Sequence, residues 1–208
     1  MMTRSRRPRR SAGRRTTTKT RRRRTHARKW SGRTDMRLDV TATLPFRREQ
    51  VFAAYRDHMS DMVPYLQNVR AITVTSRTDD GDVTKLVNRW KGGGEIPAVV
   101  RKFLSADLME WDDLATWDAR TFTCAWQTIV PAFKEAVDAR GTTTFTETAS
   151  GTLVTIQGEL KVDAAKVKGV PRLLAGTIGP AVESFLVGSI KPNMVAQAKG
   201  AEKFLRAR

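Results

Sequence analysis

Alternation of apolar and polar residues predicts a series of short β-strands along most of the chain after Met36. In residues 36–43 every second position is apolar, as expected for a strand with one buried face. Residues 83–90 place Leu86, Asn88 and Trp90 on one face, and residues 153–162 alternate in the same way. The other predicted strands are residues 69–76, 108–117, 121–129 and 137–147.

Short turns connect these strands into predicted antiparallel hairpins. Residues 79–81 read Asp-Asp-Gly, which is typical of a tight hairpin turn. Residues 118–120 and 149–151 occupy the equivalent places in two later hairpins. Two short helices are predicted between the first and second strands, at residues 47–57 and 60–67.

A longer period appears at the C-terminal end, in residues 169–205. Apolar residues recur there at steps that predict a helix with one apolar face; they are Leu174, Ile178, Val182, Phe185, Leu186, Ile190, Met194, Ala198, Ala201 and Leu205. Pro180 and Pro192 lack a backbone N–H group, so we expect a break or kink near each of them. A helix with one apolar face must be covered, and the predicted sheet is the surface available to it.

The order of these elements is that of an α+β domain in which helices pack on an antiparallel sheet. Over residues 36–205 the order resembles the START-like, or SRPBCC, helix-grip superfamily, which includes birch-pollen-allergen-like proteins, polyketide cyclases and aromatases, and lipid-transfer domains. The segments MRLDVTATLPF, REQVFAAYRDHMSDMVPYLQNV and GTLVTIQGELKV carry the resemblance. It implies a curved antiparallel sheet of about six to seven strands wrapped on a long C-terminal helix, with two short helices after strand 1. The insertion from Gly92 to Leu104 departs from the plainest pattern and is expected to be a lid or a loop.

The same resemblance implies a cavity between the sheet and the helix that suits a hydrophobic small molecule or a lipid. Such pockets are lined mainly by aromatic and aliphatic side chains with a few polar groups. The predicted ligand-contacting residues are Asn88, Trp90, Phe103, Trp111, Trp117, Phe122, Cys124, Trp126, Ile156 and Phe185. The alternative is that these side chains fill an ordinary core. The function that follows from the cavity is that of a non-catalytic carrier or sensor without a cofactor, and Asn88 or Arg89 is predicted to hold a polar group of the ligand.

An enzyme of the polyketide cyclase or aromatase type is the alternative function. Its candidate proton-transfer residues are His58 and Glu110, which shares a strand face with Asp112. Asp57, His58 and Asp61 have a spacing compatible with a metal cluster, but a solvated helix junction explains them equally, and no metal site is predicted. The segment WKGGGE lacks the spacing of a phosphate-binding or dinucleotide-binding loop.

The net charge of +17 belongs to the N-terminal end of the chain. Residues 1–34 contain 15 of the 38 Lys and Arg residues and no Asp or Glu, which leaves 23 basic and 21 acidic residues elsewhere. The nearly neutral remainder argues against a nucleic-acid domain of the basic-patch type. We expect residues 1–35 to form a disordered arginine-rich tail and residues 36–208 to form one domain.

Three interpretations of the arginine-rich tail compete. Residues 4–33 could contact nucleic acid or an anionic membrane weakly, through electrostatic attraction. The segment also has the composition of an organellar transit peptide. The third interpretation is that translation starts at Met36 and that the tail is an upstream extension.

A single cysteine, Cys124, limits the redox chemistry of the chain. It allows no internal disulfide, which fits a reducing compartment, so we expect a cytoplasmic protein. No ionisable base is adjacent to it in the sequence, and an inert core thiol is expected. No apolar run approaches the roughly 20 residues that a membrane-spanning helix needs.

Overall fold

The computed structural model describes residues 33–93, 109–131, 134–163 and 192–208, together with positions 166, 184 and 188. Most of the arginine-rich tail, the 94–104 part of the predicted insertion and most of the predicted helix before Pro192 lie outside the described residues. Two of the predicted ligand-contacting residues, Phe103 and Phe185, are therefore also outside them.

Seven antiparallel strands form one sheet. In chain order they are β1 (Arg33–Leu44), β2 (Val69–Asp80), β3 (Val83–Gly92), β4 (Glu110–Asp118), β5 (Thr123–Ile129), β6 (Val137–Thr148) and β7 (Gly151–Asp163). Across the sheet the order is β1-β7-β6-β5-β4-β3-β2, so only the β1–β7 pair joins strands that are far apart in the chain. The predicted curved antiparallel sheet of the helix-grip fold is confirmed.

One side of the sheet, which we call the inner face, carries the core. The alternation predicted for residues 83–90 and 153–162 is observed, because their apolar positions are buried on this side. Buried inner-face residues include Leu38, Val40, Leu86, Trp90, Ala115, Trp117, Cys124, Val154, Ile156, Leu160 and Val162.

The first helix, α1 (Arg48–Asp57), packs its apolar side on the inner face. Its start is stabilised by the Gln50 side chain, whose Oε1 accepts a hydrogen bond from the Arg47 backbone N–H group at 3.2 Å. Phe52 stands edge-on to three aromatic rings at centroid distances of 5.3, 5.3 and 5.4 Å, those of Trp117, Phe122 and Phe145.

The second predicted helix, at residues 60–67, is shorter in the structure. It is a three-residue 3₁₀ turn, Val63–Tyr65, with Pro64 near its start, where the missing backbone N–H group is tolerated. The turn ends at Leu66, whose backbone is extended. The residues on either side of this 3₁₀ turn, Met62 and Leu66, are both buried in the core.

The described part of the C-terminal helix, which we call α2, covers residues 192–206. Positions 184 and 188 before it are also helical. Ala198, Ala201 and Phe204 are buried at the spacing expected of one helix face. A Cβ atom on Gly200 would lie 2.6 Å from Leu66 Cδ2, so glycine lets α2 approach the 3₁₀ turn closely.

The first strand begins before Met36. Arg33 pairs with Asp163, and the β1–β7 ladder continues to Leu44 opposite Thr152. A chain that started at Met36 would lose the first three of these pairs. No helix within the described ranges is long and apolar enough to cross a membrane.

Candidate functional site

A row of three polar residues crosses the inner face at its centre. The strand register places Asn88 of β3 opposite Asp113 of β4, and Asp113 opposite Thr128 of β5. Residues directly opposite on antiparallel strands have Cβ atoms about 4.5–5.5 Å apart. We call Asn88, Asp113 and Thr128 the polar row.

Asn88 is almost fully buried and has no hydrogen bond at its side-chain oxygen. Its side chain is on the inner face, its residue exposure is only 4%, and Oδ1 has no partner among the residues that the structure describes. Leaving a buried polar atom unpaired costs about 1–3 kcal/mol. Of the two residues predicted to hold a polar group of the ligand, Asn88 faces inward, whereas Arg89 is on the opposite side of the sheet with Asp112.

Asp113 is the carboxylate that sequence reasoning missed. The carboxylates considered from the sequence, Glu110 and Asp112, both lie on the outer side. Lys91 Nζ is 3.1 Å from Glu110 Oε1, and Arg89 Nη2 donates to Asp112 Oδ2 at 2.9 Å. The signal was present in the alternation of β4, which puts Asp113 on the same face as the buried Ala115 and Trp117.

The environment of Asp113 favours its neutral form. Burial raises the pKa of this carboxyl group to about 7, from an ordinary value of 3.8. No described residue gives it an ion pair or a hydrogen bond, although its side chain is open in part to solvent. Asp113 can therefore hold a proton at neutral pH and donate it in a hydrogen bond.

Two stacked tryptophans flank one side of the polar row. Trp90 and Trp111 are opposite each other on β3 and β4, with ring centroids 5.7 Å apart and an interplanar angle of 17°. Both were predicted to contact a ligand. The pair presents a flat aromatic surface, and Nε1 of the buried Trp90 lacks a hydrogen-bond partner.

Trp126 flanks the other side of the row and lies over two glycines. It is opposite Gly141, which is in turn opposite Gly158. A Cβ atom on Gly141 would lie 2.5 Å from Trp126 Cζ2, and one on Gly158 would lie 3.0 Å from Trp126 Cη2. The indole ring therefore requires both glycines beneath it, and it remains only half-buried.

The other predicted ligand residues lie closer to α1. Trp117 and Cys124 are a cross-strand pair, and both are buried against the core cluster that contains Phe52. Ile156 is buried in the same cluster, on β7. These three residues pack as core, with Nε1 of Trp117 left unpartnered.

Phe122 departs from its predicted place in a strand. Residues 119–122 form the β4–β5 turn, and Phe122 has a positive φ of 52°, so it does not alternate with Cys124 and Trp126. The left-handed conformation is unfavourable for a bulky residue. It is held by the contact of the ring with Phe52 and by the Arg48 guanidinium, whose Cζ is 3.9 Å from the Phe122 centroid.

Cys124 has the properties of an inert thiol. Burial, followed by the nearby charge of Asp113, raises the pKa of the thiol above its ordinary value. Burial likewise raises the pKa of the Tyr55 hydroxyl group, which has no hydrogen-bond partner. The inner face therefore offers neutral hydrogen-bonding groups and no activated nucleophile among its described residues.

Asp57, His58 and Asp61, whose spacing is compatible with a metal cluster, do not form a common site. His58 Nδ1 contacts Asp61 Oδ2 at 2.9 Å, while Asp57 Oδ1 accepts from Arg77 Nη1 at 2.9 Å. His58 is partly exposed beside Phe204 rather than on the inner face. In the part of the chain that the structure describes, no three His, Cys, Asp or Glu side chains could hold a metal ion.

A surface depression of about 370 Å³ lies elsewhere, between the β1–α1 connection and the β6–β7 turn. Its lining residues include Phe46, Gln50 and Glu147, and none of the predicted ligand residues is among them. It is open to solvent. The inner face, with its unpartnered buried atoms, is the better candidate site.

A family model described as Protein of unknown function (DUF2505) matches residues 39–205. The chain belongs to this family. A search of the curated proteins gives no match for this DUF2505 protein.

Solved structures similar to the DUF2505 chain share its fold at low sequence identity. TTHA0849 from Thermus thermophilus is 18% identical with a TM-score of 0.54, and the match covers 84% of this chain and 98% of that one. The Zhui aromatase/cyclase from Streptomyces sp. R1128 is 14% identical with a TM-score of 0.57, covering 84% and 97%. Norcoclaurine synthase from Thalictrum flavum is 14% identical with a TM-score of 0.51, covering 93% and 99%. The DUF2505 chain therefore has the START-like helix-grip fold.

Proposed function

We propose that the protein binds a hydrophobic small molecule or lipid between the inner face of the sheet and the C-terminal helix, as a non-catalytic carrier or sensor. The observation that carries the proposal is the set of buried polar atoms without partners on or beside the inner face: Tyr55 Oη, Asn88 Oδ1, Trp90 Nε1 and Trp117 Nε1. A face that only filled a core would pair such atoms or replace them with apolar groups.

The apolar surfaces beside these atoms supply the affinity. The Trp90–Trp111 stack and the half-buried Trp126 offer aromatic area on either side of the polar row. Removing apolar surface from water contributes about 25 cal/mol per Å². Norcoclaurine synthase, which shares the fold, has a structure in complex with dopamine and hydroxybenzaldehyde, so the fold accommodates small aromatic molecules in that protein.

The test is native mass spectrometry of the full chain after gentle purification, followed by organic extraction of any molecule that travels with it. A co-purifying hydrophobic compound, or uptake of a fluorescent fatty-acid probe, would support the proposal. An apo mass together with no uptake of the probe would contradict it, and the inner-face tryptophans would then be core.

A matched pair of variants tests whether the fluorescent fatty-acid probe binds at the inner face. Trp126→Leu reduces the aromatic area over Gly141 and Gly158, and we expect probe affinity to fall by about five- to tenfold. Gln127→Leu changes the next residue, which is exposed on the opposite face, and should leave affinity unchanged. Equal effects of the two variants would place the probe elsewhere.

An enzymatic role of the cyclase or aromatase type is a second proposal, and Asp113 is the observation that favours it. A carboxyl group whose pKa lies near 7 is suited to proton transfer. The residues first considered for that role, His58 and Glu110, do not face the polar row. Incubation of the extracted ligand with the protein tests the idea: a changed ligand mass that is lost in Asp113→Asn would favour an enzyme, and an unchanged mass a carrier.

Contact of the basic tail with nucleic acid or an anionic membrane remains a proposal from the sequence, because residues 1–32 lie outside the described ranges. Replacing the four arginines at positions 21–24 with glutamine removes charge without shortening the chain. Binding to duplex DNA or to phosphatidylserine vesicles should then weaken and lose salt dependence. Equal binding before and after the replacement would exclude an electrostatic role for this segment.

A further inference from the structure

The polar row has a chemistry more specific than that of a general hydrophobic pocket. It lies between two aromatic surfaces, the Trp90–Trp111 stack on one side and Trp126 on the other. A ligand that spreads over these surfaces brings its middle or its edge to Asn88 and Asp113. This step rests on the proposed function, because it takes the inner face as the binding surface.

Asn88 sets the first requirement on such a ligand. Its Oδ1 is an acceptor that is buried and unpartnered, so it is satisfied only by a group that donates a hydrogen bond. Ketones, ethers and esters have no donor and would leave this atom unpaired. Amines, amides and hydroxyl groups pass this requirement.

Asp113 sets the second requirement. It stands opposite Asn88, no described cation neutralises it, and burial favours its protonated form. A protonated carboxyl group donates a hydrogen bond and thus needs an acceptor. An ammonium group cannot accept one, whereas a hydroxyl group both donates and accepts.

The flanking side chains set the third requirement, which is shape. Trp90 and Trp111 are nearly parallel, with 17° between their planes, and Trp126 is close enough to its glycines that it cannot sink further into the sheet. Flat rings make offset-stacked contact with such surfaces.

We propose that Asn88 and Asp113 together anchor the hydroxyl group of a flat aromatic ligand, with the hydroxyl donating to Asn88 Oδ1 and accepting from the Asp113 carboxyl group. A phenol or enol on a planar ring system meets both requirements with a single oxygen atom, whereas an amide needs two separate atoms to do so. Trp90, Trp111 and Trp126 contact its rings.

Three naphthalenes of nearly equal size test this proposal by isothermal titration calorimetry with the full chain: 2-naphthol, 2-methoxynaphthalene and naphthalene. The methoxy compound accepts hydrogen bonds but donates none. We expect 2-naphthol to bind about tenfold more tightly than the other two, as one buried hydrogen bond predicts. Equal affinities of 2-naphthol and 2-methoxynaphthalene would overturn the proposal while leaving the hydrophobic site intact.

Variants assign the preference to the two residues. Asn88→Leu and Asp113→Leu should each reduce the preference for 2-naphthol to about twofold or less. Asp112→Leu is the matched control, since Asp112 is the neighbouring carboxylate on the outer side and pairs with Arg89, and it should retain the full preference. A preference that persists in Asn88→Leu and Asp113→Leu would place the hydroxyl elsewhere.

Two further outcomes are decisive even if these variants do not fold. Tighter binding of 2-naphthylmethylamine than of 2-naphthol by the unaltered protein would overturn the proposal, because an ammonium group requires an ionised Asp113. Failure of all three naphthalenes to bind, with no compound found in the organic extract, would instead overturn the proposed hydrophobic site itself.

Discussion

The β1–β7–β6 half of the sheet and the polar row of the β3–β4–β5 half differ in how their buried polar groups are paired. In the β1–β7–β6 half, the fully buried Thr152 hydroxyl donates to the Phe46 carbonyl oxygen at 2.7 Å. In the β3–β4–β5 half, the nearly buried Asn88 Oδ1 and the partly exposed carboxyl group of Asp113 have no partner among the described residues. The first half is arranged for stability. The second keeps polar groups that cost stability, which is the pattern expected of a binding site.

The largest predicted effect on stability is in the β1–β7–β6 half. Leu160 of β7 is fully buried opposite Met36 and Ala139, so Leu160→Ala leaves a cavity. We expect the free energy of unfolding to fall by about 3 kcal/mol, within the range of such substitutions. Urea denaturation followed by circular dichroism measures it. A loss under about 1 kcal/mol would mean that this half of the sheet is loosely packed.

The next largest loss of stability is predicted for Gly141, which lies where the two halves of the sheet meet. A Cβ atom in Gly141→Ala would collide with Trp126 and, more closely, with the Gln157 carbonyl oxygen. We expect a loss of about 2–3 kcal/mol of stability, because the backbone cannot yield as a flexible side chain would. A shift in tryptophan fluorescence should accompany the loss. Thr142→Ala, at the next position on the opposite face, should change stability by less than about 0.5 kcal/mol.

The stability of the β3–β4–β5 half should respond to substitution with the opposite sign. The pKa of Asp113 is raised to about 7 in the folded protein from 3.8, so the native state binds more protons than the unfolded state between these values. Stability therefore falls as the pH rises from about 4 to about 7. The full shift corresponds to about 4 kcal/mol, and partial access of solvent reduces it.

Asp113→Asn removes this penalty. We expect the variant to be more stable than the unaltered protein by about 2 kcal/mol at pH 8, with the difference vanishing near pH 4. Thermal or urea unfolding at several pH values measures it. The neighbouring Cys124 and Tyr55 stay neutral over this range, because burial raises the pKa of both groups. A pH-independent difference would mean that Asp113 is ionised and solvated.

The smallest predicted effect lies on the outer side of the same strand. Asp112 forms an ion pair with Arg89, whose side chain is 43% exposed. Exposed pairs contribute little, so Asp112→Asn should lower the free energy of unfolding by about 0.5 kcal/mol or less. A loss comparable to that of Leu160→Ala would show that the two sides of β4 are not distinct.

Local sequence patterns predicted the fold better than they predicted the site. A two-residue period identifies β3 and β7 because it reports which side chains are buried. The same alternation along β4 predicts that Asp113 faces inward. The packing of Trp126 on Gly141 and Gly158 could not be predicted in this way. The three residues come together only through the register of β5, β6 and β7. The left-handed conformation of Phe122 likewise depends on Phe52 and Arg48 from another element. Such contacts between distant residues leave no periodic signal.

The place of β1 in the sheet has a consequence for how the chain folds. Its hydrogen-bonding partner is β7, and Arg33 pairs with Asp163 across most of the length of the domain. During synthesis β1 has no native neighbour until the last strand emerges, while the hairpins from β2 to β7 form between adjacent segments. Pairing between such distant segments is slow. We therefore expect closure of the sheet by β1 to be a late event, and mutations in β1 to change the unfolding rate more than the folding rate.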